Sequence, residues 1–335
     1  MSNSIPARVV VTGGAGFIGI HTVRRLVDEG VGVLVLDDLR HACGELLPSG
    51  VVFQRVDLST GEIAATVRAF RPTAILHLAA QGGVSRSLRD PAGDAMANVV
   101  ATVAVLKAAV DASCQRVVFA SSGGAIYGHA PRLPTPEDTD PAPLSPYGAA
   151  KLAGEGYVGM FSRTFGIHAA ALRYSNVYGP LQDGTGEAGV VAITCERLLS
   201  GQPPEIRGDG NQTRDFIYVG DVVEANLRAL LTDVTGPLNI GTGIATSVRS
   251  VVEELTATAR FAGVLSFVAG RSGEVRDTAL AIDRARQLLD WSPRMPLREG
   301  LRQTFKSFQE RAGRARPSTD ELAAAATRSG PGSPA

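Results

Sequence analysis

Two side chains suited to acid–base chemistry lie four residues apart near the middle of the chain. Tyr147 and Lys151 belong to the segment SPYGAAK, which begins at Ser145. Ser145 is a favourable helix cap and Pro146 suits a first helical turn, so the pattern predicts a helix that extends to about Phe165. Residues four apart share one face of a helix, and an ammonium beside a phenol favours the ionised phenol. We therefore expect Tyr147 to accept a proton with help from Lys151.

A glycine-rich turn near the N-terminus predicts dinucleotide binding. The apolar run 9–11 leads into this turn, and apolar residues at helical spacing follow it. The turn contains Gly13, Gly16 and Gly19. Without Cβ atoms the backbone can approach a pyrophosphate, and the free N–H groups of the helix N-terminus attract that anion. The next predicted strand ends in Asp37 and Asp38. Their sequence separation from the glycine turn is the one at which a carboxylate would meet the hydroxyls of an adenosine ribose.

Strand and helix patterns alternate five times over the first half of the chain. This alternation predicts a Rossmann-type doubly wound parallel sheet of the α/β class, with helices on both faces. Ligands of such sheets bind beyond the carboxyl ends of the strands. Asp57, Ala79 and the pair Ser121-Ser122 all fall at such ends. His77 also lies near one, but we expect it to be a packed residue.

The composition excludes several other classes of protein. Lys plus Arg equals Asp plus Glu, 33 against 33, so no overall field favours nucleic acid or an anionic membrane. We find no apolar run long enough to span a bilayer and no secretory signal. The three cysteines are scattered without the spacing of metal ligands, so we expect no metal. A cytoplasmic protein is the expectation.

The motifs together resemble those of the extended short-chain dehydrogenase/reductase family. The resemblance covers roughly residues 8–308 and is carried by GGAGFIG, the acidic end of the second strand, ASSGGAIYG and YGAAK. It implies that Ser122, Tyr147 and Lys151 are catalytic. The turn after the fifth strand looks one residue longer than in many relatives, so Ser121 is an alternative to Ser122.

The resemblance also implies a bound NAD. Asp37 would repel the 2′-phosphate of NADP, although Arg40 and His41 lie close by. The implied cofactor contacts are Gly13, Gly16, Phe17, Ile18, Gly19, Asp37, Asp38, Asp57, Leu58, Leu78, Ala79, Ala80, Asn98, Ser121, Tyr147, Lys151, Tyr174 and Ser175.

Three segments of the second half resemble the sugar-nucleotide epimerase/dehydratase group of that family. They are RYSNVYGP from Arg173, GDGNQTRDFI from Gly208 and RSGE from Arg271. A diphosphate favours guanidinium donors and a ribose diol favours a carboxylate acceptor. The implied substrate contacts are Ser122, Tyr147, Asn176, Val190, Arg214, Arg271, Glu274 and Thr278.

Several reactions are compatible with this group. Gly123 and Gly124 stand where 4,6-dehydratases carry an Asp-Glu pair, and the Glu of uronic acid decarboxylases is absent as well. The remaining Ser, Tyr and Lys suffice for reversible hydride transfer at C4 of a UDP-sugar, which is 4-epimerisation. The likeness is greatest to the UDP-glucose 4-epimerase group. The alternatives are a 4-epimerase of UDP-glucuronic acid or UDP-GlcNAc, a 4-ketoreductase, and a non-catalytic dinucleotide-binding regulator.

The resemblance also implies a domain organisation and an association state. We expect residues 1–175 to form the NAD-binding domain, to which some later segments return. Residues 176–311 are expected to form mainly a smaller α/β lobe for the sugar nucleotide, and residues 312–335 a disordered tail. Helices 98–111 and 147–165 of two subunits would pack as a four-helix bundle in a homodimer.

Overall fold

The apolar runs of the first half form one parallel sheet, and shorter strands of the second half form small separate sheets. The computed structural model describes residues 6–43, 45, 47–60, 63–184, 189–270, 275–313, 319, 321, 322 and 324. The strands are β1 (Arg8–Thr12), β2 (Gly32–Asp37), β3 (Val52–Arg55), β4 (Ala74–His77), β5 (Arg116–Ser122), β6 (His168–Tyr174), β7 (Asn176–Tyr178), β8 (Glu205–Arg207), β9 (Thr213–Arg214), β10 (Phe216–Tyr218), β11 (Gly236–Ile240), β12 (Thr246–Ser247) and β13 (Ser266–Val268).

Helices connect most of these strands. They are α1 (Phe17–Asp28), α2 (Ala64–Phe70), α3 (Val84–Arg89), α4 (Pro91–Ala95), α5 (Ala101–Asp111), α6 (Gly123–Ile126), α7 (Pro146–Phe165), α8 (Val190–Leu199), α9 (Val219–Leu231), α10 (Val248–Thr258), α11 (Asp283–Leu289) and α12 (Leu297–Arg311). A 3₁₀ turn covers Leu58–Thr60, and a π turn, Met96–Val100, joins α4 to α5.

Within the described residues the central sheet has seven strands in the order β3-β2-β1-β4-β5-β6-β11, and all of its pairs are parallel. The chain order reverses between β1 and β4, which opens a crevice at the carboxyl ends of these strands. Val9, Val10 and Val11 of β1 are 0% exposed, because helices cover both faces of the sheet. The predicted Rossmann-type α/β fold is confirmed.

Three large apolar cores among the described residues hold the helices and strands together. Side chains of α1 and α9 pack on one face of the sheet, and those of α2, α5 and α7 pack on the other. A third core joins α8, α10 and α12 to β8 and β10, and it forms the smaller lobe. The strand β11 lies in the second half of the chain but pairs with β6 in the main sheet.

The helix expected at 98–111 begins earlier, at Pro91. Asp90 caps it, since its Oδ1 accepts a hydrogen bond from Gly93 N at 2.9 Å, and Pro91 occupies the first turn. The continuous stretch Pro91–Asp111 is 21 residues long and apolar enough to cross a membrane by length and composition, which differs from our expectation. Its inner side chains, such as Thr102 and Leu106, are buried against the sheet. A helix in the core of a protein can have the same length and apolar composition.

The expected disorder of residues 312–335 concerns mostly positions outside the described residues. Leu322 is described and differs from that expectation: it is 8% exposed and packs against Ala15 and Leu39. Arg311 Nη2 donates to the carbonyl of Cys43 at 2.7 Å. Both contacts reach the loop that follows β2.

Candidate active site

Two of the predicted glycines, Gly13 in the turn between β1 and α1 and Gly19 in the first turn of α1, have no room for a side chain. Gly13 has φ +69°, and a Cβ on it would lie 2.6 Å from the backbone nitrogen of Ala79. A Cβ on Gly19 would collide with the carbonyl of Gly13. Helix α1 starts at Phe17 and Ile18, and its cap, Gly16, offers no side-chain oxygen to the first N–H groups. These donors are therefore available to a pyrophosphate, so the turn fits a dinucleotide.

The carboxylate of Asp37 lies at the end of β2 beside this turn. Its Oδ1 accepts from Leu39 N at 2.8 Å and its Oδ2 accepts from Ala15 N at 3.0 Å. Burial raises the pKa of Asp37, and these two backbone donors oppose that effect. Each oxygen keeps a further lone pair, so the carboxylate is held in place and can still accept from a ribose diol.

The neighbouring cation Arg40 is engaged by two carboxylates. Its Nε donates to Asp38 at 2.5 Å, and its Nη2 donates to Asp57 at 2.7 Å across the ends of β2 and β3. Hydrogen bonds from Ser59, together with Arg40, lower the pKa of Asp57. Arg40 is therefore neutralised and is poorly placed to attract a 2′-phosphate, which agrees with NAD rather than NADP.

Asn98 closes the loop that follows β4 and contains Leu78, Ala79 and Ala80. Its Oδ1 accepts from Gln81 N at 2.9 Å, and its Nδ2 donates to Gln81 O and to Asp94 Oδ1, both at 3.1 Å. Both amide protons of Asn98 are thus used inside the protein. Its contribution to a cofactor groove is to hold this loop in shape.

Tyr147, Lys151 and Ser122 meet at the carboxyl end of β5. The predicted helix is present as α7, and the hydroxyl of Ser145 accepts from Gly148 N at 3.1 Å as its cap. Tyr147 is hydrogen-bonded to Ser122. Lys151 is 3% exposed, and its Nζ donates to the carbonyl of Ala120 at 2.8 Å and lies 5.8 Å from the centre of the Tyr147 ring.

Burial controls the pKa values of this pair. Desolvation raises the pKa of Tyr147 to about 12; the hydrogen bond with Ser122 opposes it, and the charge of Asp94 adds to it. Desolvation also lowers the pKa of Lys151 to about 8, while Asp94 and Glu155 oppose that change. The expected lowering of the Tyr147 pKa by Lys151 is therefore not seen, because burial disfavours both charges.

Ser121 does not share the position of Ser122. It is 3% exposed, and its hydroxyl donates at 2.6 Å to Glu155, two turns beyond Tyr147 on α7. Glu155 in turn pairs with Arg173 through two hydrogen bonds, from Nε at 2.9 Å and from Nη2 at 2.7 Å. The hydroxyl of Ser121 is therefore part of a buried structural network, and Ser122 alone of the two contacts Tyr147.

Three predicted ligand residues lie at the end of β6 and just after it, and two of them have polar atoms that are free to bind a ligand. Tyr174 is an exception, because its hydroxyl donates to Asn226 Oδ1 at 2.5 Å on the covered side of the sheet. Its hydroxyl is thus not offered to a cofactor. Ser175 Oγ and Asn176 Oδ1 are buried and have no hydrogen-bond partner within the described chain. Buried polar atoms are normally paired, so these two are suited to a ligand.

Arg214 is held at the lobe interface by backbone carbonyls. Its Nη1 donates to Thr213 O at 2.8 Å and to Arg276 O at 2.9 Å. The adjacent Asp215 is fully buried and accepts from Thr242 N, Thr242 Oγ1, Gly243 N and Leu280 N at 2.7–3.1 Å. Asp215 thereby fastens three separate segments around the arginine.

The remaining predicted substrate contacts are partly described. Val190 is half-buried in the first turn of α8. Thr278 lies beside β9, where its nitrogen donates to Thr213 O at 3.2 Å, and its buried Oγ1 has no partner within the described chain. Arg271 and Glu274 lie outside the described residues. Among the described side chains, no group of three or more His, Cys, Asp and Glu is arranged to hold a metal.

Sequence reasoning missed Asp94, Glu155, Arg173 and Asp215. Two signals were present: Asp94 is four residues before Asn98 on one helix, and Asp215 follows Arg214 directly. Glu155 lies four residues after Lys151, but its partners Arg173 and Ser121 come from distant strands. No short motif predicts that pairing.

Comparisons with known proteins agree with this geometry. The model of the NAD dependent epimerase/dehydratase family matches residues 9–241. The UDP-glucose 4-epimerase of Mycolicibacterium smegmatis is 41% identical over 316 residues, which cover 91% of this chain and 99% of that protein.

Solved structures give the same result. The Thermotoga maritima UDP-glucose 4-epimerase with UDP-glucose has a TM-score of 0.88 at 39% identity, with 91% of this chain and 99% of that chain covered. The Thermus thermophilus UDP-glucose 4-epimerase complex with NAD has a TM-score of 0.85 at 40% identity, with 90% and 99% covered. This chain belongs to the NAD dependent epimerase/dehydratase family. It is an enzyme of the nucleotide-sugar epimerase type, and its cofactor is NAD.

Proposed function

We propose that this protein interconverts UDP-glucose and UDP-galactose by epimerisation at C4. The observation that carries the proposal is the cluster of Ser122, Tyr147 and Lys151 beside the turn Gly123-Gly124. That turn has no carboxylate that could remove water from the sugar. The acid–base groups of the cluster therefore exchange protons with one oxygen only, that of the 4-hydroxyl. The names of the relatives described above support the choice of sugar.

The chain's own residues have distinct tasks in this reaction. NAD, when bound, would supply reversible hydride exchange at C4 of the sugar. Tyr147 removes the proton from the 4-hydroxyl and later returns one, and Ser122 holds the same oxygen by a hydrogen bond. Lys151 binds the nicotinamide ribose and provides positive charge near the phenol. The turn around Gly13 holds the pyrophosphate, and Asp37 holds the adenosine ribose.

Substrate binding is assigned to the cleft beside the smaller lobe. Arg214 and Arg271 bind the diphosphate, and Glu274 accepts from the ribose of the nucleoside. The unpaired atoms of Asn176 and Thr278 bind the sugar. Residues 1–175, with β11, form the cofactor domain, and residues 176–311 form mainly the substrate lobe.

A test needs only purified protein and labelled UDP-glucose. UDP-glucose deuterated at C4 is incubated without added cofactor, and the product is analysed by NMR. We expect UDP-galactose that keeps its deuterium through many turnovers. In a parallel reaction of unlabelled UDP-glucose in deuterated water, solvent deuterium at C5 or C6 would indicate a dehydratase instead. A stoichiometric demand for NADH or NADPH would indicate a ketoreductase.

A second candidate substrate rests on Thr278. The family resemblance implies a bulky aromatic residue near this place in some members, and a threonine would leave more room in the sugar pocket. UDP-GlcNAc and UDP-glucuronic acid are therefore proposed as further substrates. Activity below detection with both would restrict the enzyme to UDP-glucose and UDP-galactose.

We also infer that the protein is a homodimer. Exposed apolar side chains occur on α7 and on two elements that pack against it, α3 and the π turn: Val84, Leu88, Met96, Val100 and Tyr157. An apolar patch of this kind marks a protein interface. Val100→Glu is expected to give a monomer in light scattering, whereas Leu288→Glu on α11, where Leu288 is 46% exposed, leaves the dimer intact. A monomeric unmodified protein at micromolar concentration would contradict the inference.

The cytoplasmic location of the protein remains a prediction, which cell fractionation checks.

A further inference from the structure

A buried carboxylate faces the proposed acid–base pair from a neighbouring helix. Asp94 lies in α4, which packs against α7, the helix that carries Tyr147 and Lys151. Asp94 is 0% exposed and Lys151 is 3% exposed, so neither charge is solvated. An ionised carboxylate is costly to bury unless a nearby group compensates its charge.

The hydrogen bonds of Asp94 leave half of its carboxylate unpaired. Its Oδ1 accepts from Asn98 Nδ2 at 3.1 Å, whereas Oδ2 is buried and no donor of the described residues lies within hydrogen-bond distance of it. Burial raises the pKa of Asp94, and the side chains of Asn98 and Gln81 and the charge of Lys151 oppose that effect. Asn98 is bound in turn to the backbone of Gln81, so the position of the carboxylate is fixed by the loop after β4.

The charges around Lys151 single out Asp94. The titratable groups that act on Lys151 are Asp94 from α4, Glu155 and Tyr147 from α7, and His77 from β4. His77 is neutral, because burial lowers its pKa to about 3. Glu155 is compensated by Arg173, whose Nη2 lies 2.7 Å from it. Asp94 is therefore the anion near Lys151 that no other described cation neutralises.

We propose that Asp94 is a positioning residue whose buried charge keeps Lys151 in the ammonium form. The ammonium form of Lys151 matters because it has more N–H donors than the neutral amine. An ammonium has three N–H groups, and one of them is used by the carbonyl of Ala120 at 2.8 Å. Two remain for a ribose diol, whereas a neutral amine would keep only one. The effect on turnover rests on the proposed function, but the charge coupling is a property of the folded chain.

The lysine content of the chain makes a direct test possible. The sequence contains only Lys107, Lys151 and Lys306. Lys107 and Lys306 are on the surface, with side chains 62% and 66% exposed, and serve as internal references. Purified protein labelled at the lysine ¹³Cε is titrated by NMR, and the Lys151 signal is assigned by its loss in Lys151→Met. Asp94→Asn is expected to lower the Lys151 midpoint by about one pH unit, because removal of an anion disfavours the ammonium.

Matched variants separate this effect from damage to the fold. Asp90→Asn removes the charge at the cap of α4, where asparagine can still accept from Gly93 N, and should leave the Lys151 midpoint unchanged. Asp94→Glu keeps the charge and should restore a midpoint close to that of the unmodified protein. If Asp94→Asn does not fold, Asp94→Ser provides a smaller neutral side chain. A midpoint that is the same with and without the Asp94 charge would overturn the proposal.

The pH profile of turnover provides a second measurement. Asp94 raises the pKa values of both Tyr147 and Lys151, so its neutralisation lowers both. Activity that needs the phenolate and the ammonium should then shift to lower pH on both limbs, whereas a structural defect would lower the maximum without a shift. If the NMR midpoint moves but even the unmodified protein does not turn over UDP-glucose, the proposed function fails and the charge coupling stands.

Discussion

Two residues of the proposed cofactor groove, Asp37 and Asn98, differ from two of the proposed sugar pocket, Asn176 and Thr278, in how their polar atoms are satisfied. On the cofactor side, Asp37 and Asn98 already bind the backbone of adjacent loops. On the substrate side, Asn176 Oδ1 and Thr278 Oγ1 are buried without a partner in the described chain. Groups that are positioned in advance lose little freedom on binding, and unpaired buried groups gain hydrogen bonds from a ligand. Asp37 and Asn98 are therefore fixed in the proposed cofactor groove before NAD binds, whereas Asn176 and Thr278 would gain hydrogen bonds from the proposed substrate.

The two sides also differ in how they are built. The cofactor groove collects the ends of neighbouring parallel strands, which topology brings together. The substrate side joins β9 to segments near Thr242 and Leu280, and one buried carboxylate, Asp215, fastens them. The following variants test this contrast, in order of decreasing expected effect.

Tyr147→Phe should remove turnover while NAD stays bound. Only the phenol oxygen is lost, and a positioned acid–base group contributes about 10²–10⁴-fold to a rate. The measurements are kcat for UDP-glucose and the NAD content of the purified variant. A loss of NAD from the variant would show that the two functions are not separable at this residue.

Asp215→Ala should damage the substrate side and spare the cofactor side. It leaves four donors without their acceptor, which should cost about 3 kcal/mol of stability and raise the KM for UDP-glucose. Chemical denaturation and steady-state kinetics measure these effects. Asp209→Ala is the control, because Asp209 is an exposed carboxylate of the same segment. Weakened NAD binding in Asp215→Ala would contradict the separation of the two sides.

Ser122→Ala and Ser121→Ala should have opposite signatures although the residues are adjacent. Ser122→Ala removes the hydrogen bond to Tyr147 and should lower kcat about fivefold, since one hydrogen bond contributes about 1 kcal/mol. Ser121→Ala removes the bond to Glu155 and should lower the melting temperature with kcat nearly unchanged. Equal losses of kcat in both variants would mean that the two hydroxyls act together.

Leu322→Ala should have the smallest effect and should act on the cofactor side. Leu322 packs against Ala15 and Leu39 beside Asp37, and part of its apolar surface would be exposed. We expect a loss of about 1 kcal/mol in stability, measured by thermal unfolding, and slightly weaker NAD binding. Thr319→Ala, at an exposed position, is the control. An unchanged melting temperature in Leu322→Ala would restore the expectation of a disordered tail.

Much of the cofactor half was predictable because its signals are local. The glycine turn, the apolar runs and the Tyr147–Lys151 spacing each depend on residues close together in the chain, and backbone sterics and helical periodicity act over that range. The parallel pairing of the strands follows as well, because alternating strands and helices are joined by right-handed crossovers. NAD as the cofactor and the nucleotide-sugar class of the enzyme were predicted from the family resemblance.

Only the tertiary structure decided which side chains are free to act. Ser121 and Ser122 are equivalent in sequence, and Glu155 on α7 engages Ser121, which leaves Ser122 for Tyr147. In the same way, Asn226 engages the hydroxyl of Tyr174 from a distant helix. Hydrogen bonding and desolvation depend on groups that are far apart in the chain and meet only after folding. The proposed catalytic residues could therefore be predicted from the sequence, whereas their charge states and hydrogen-bond partners depend on packing.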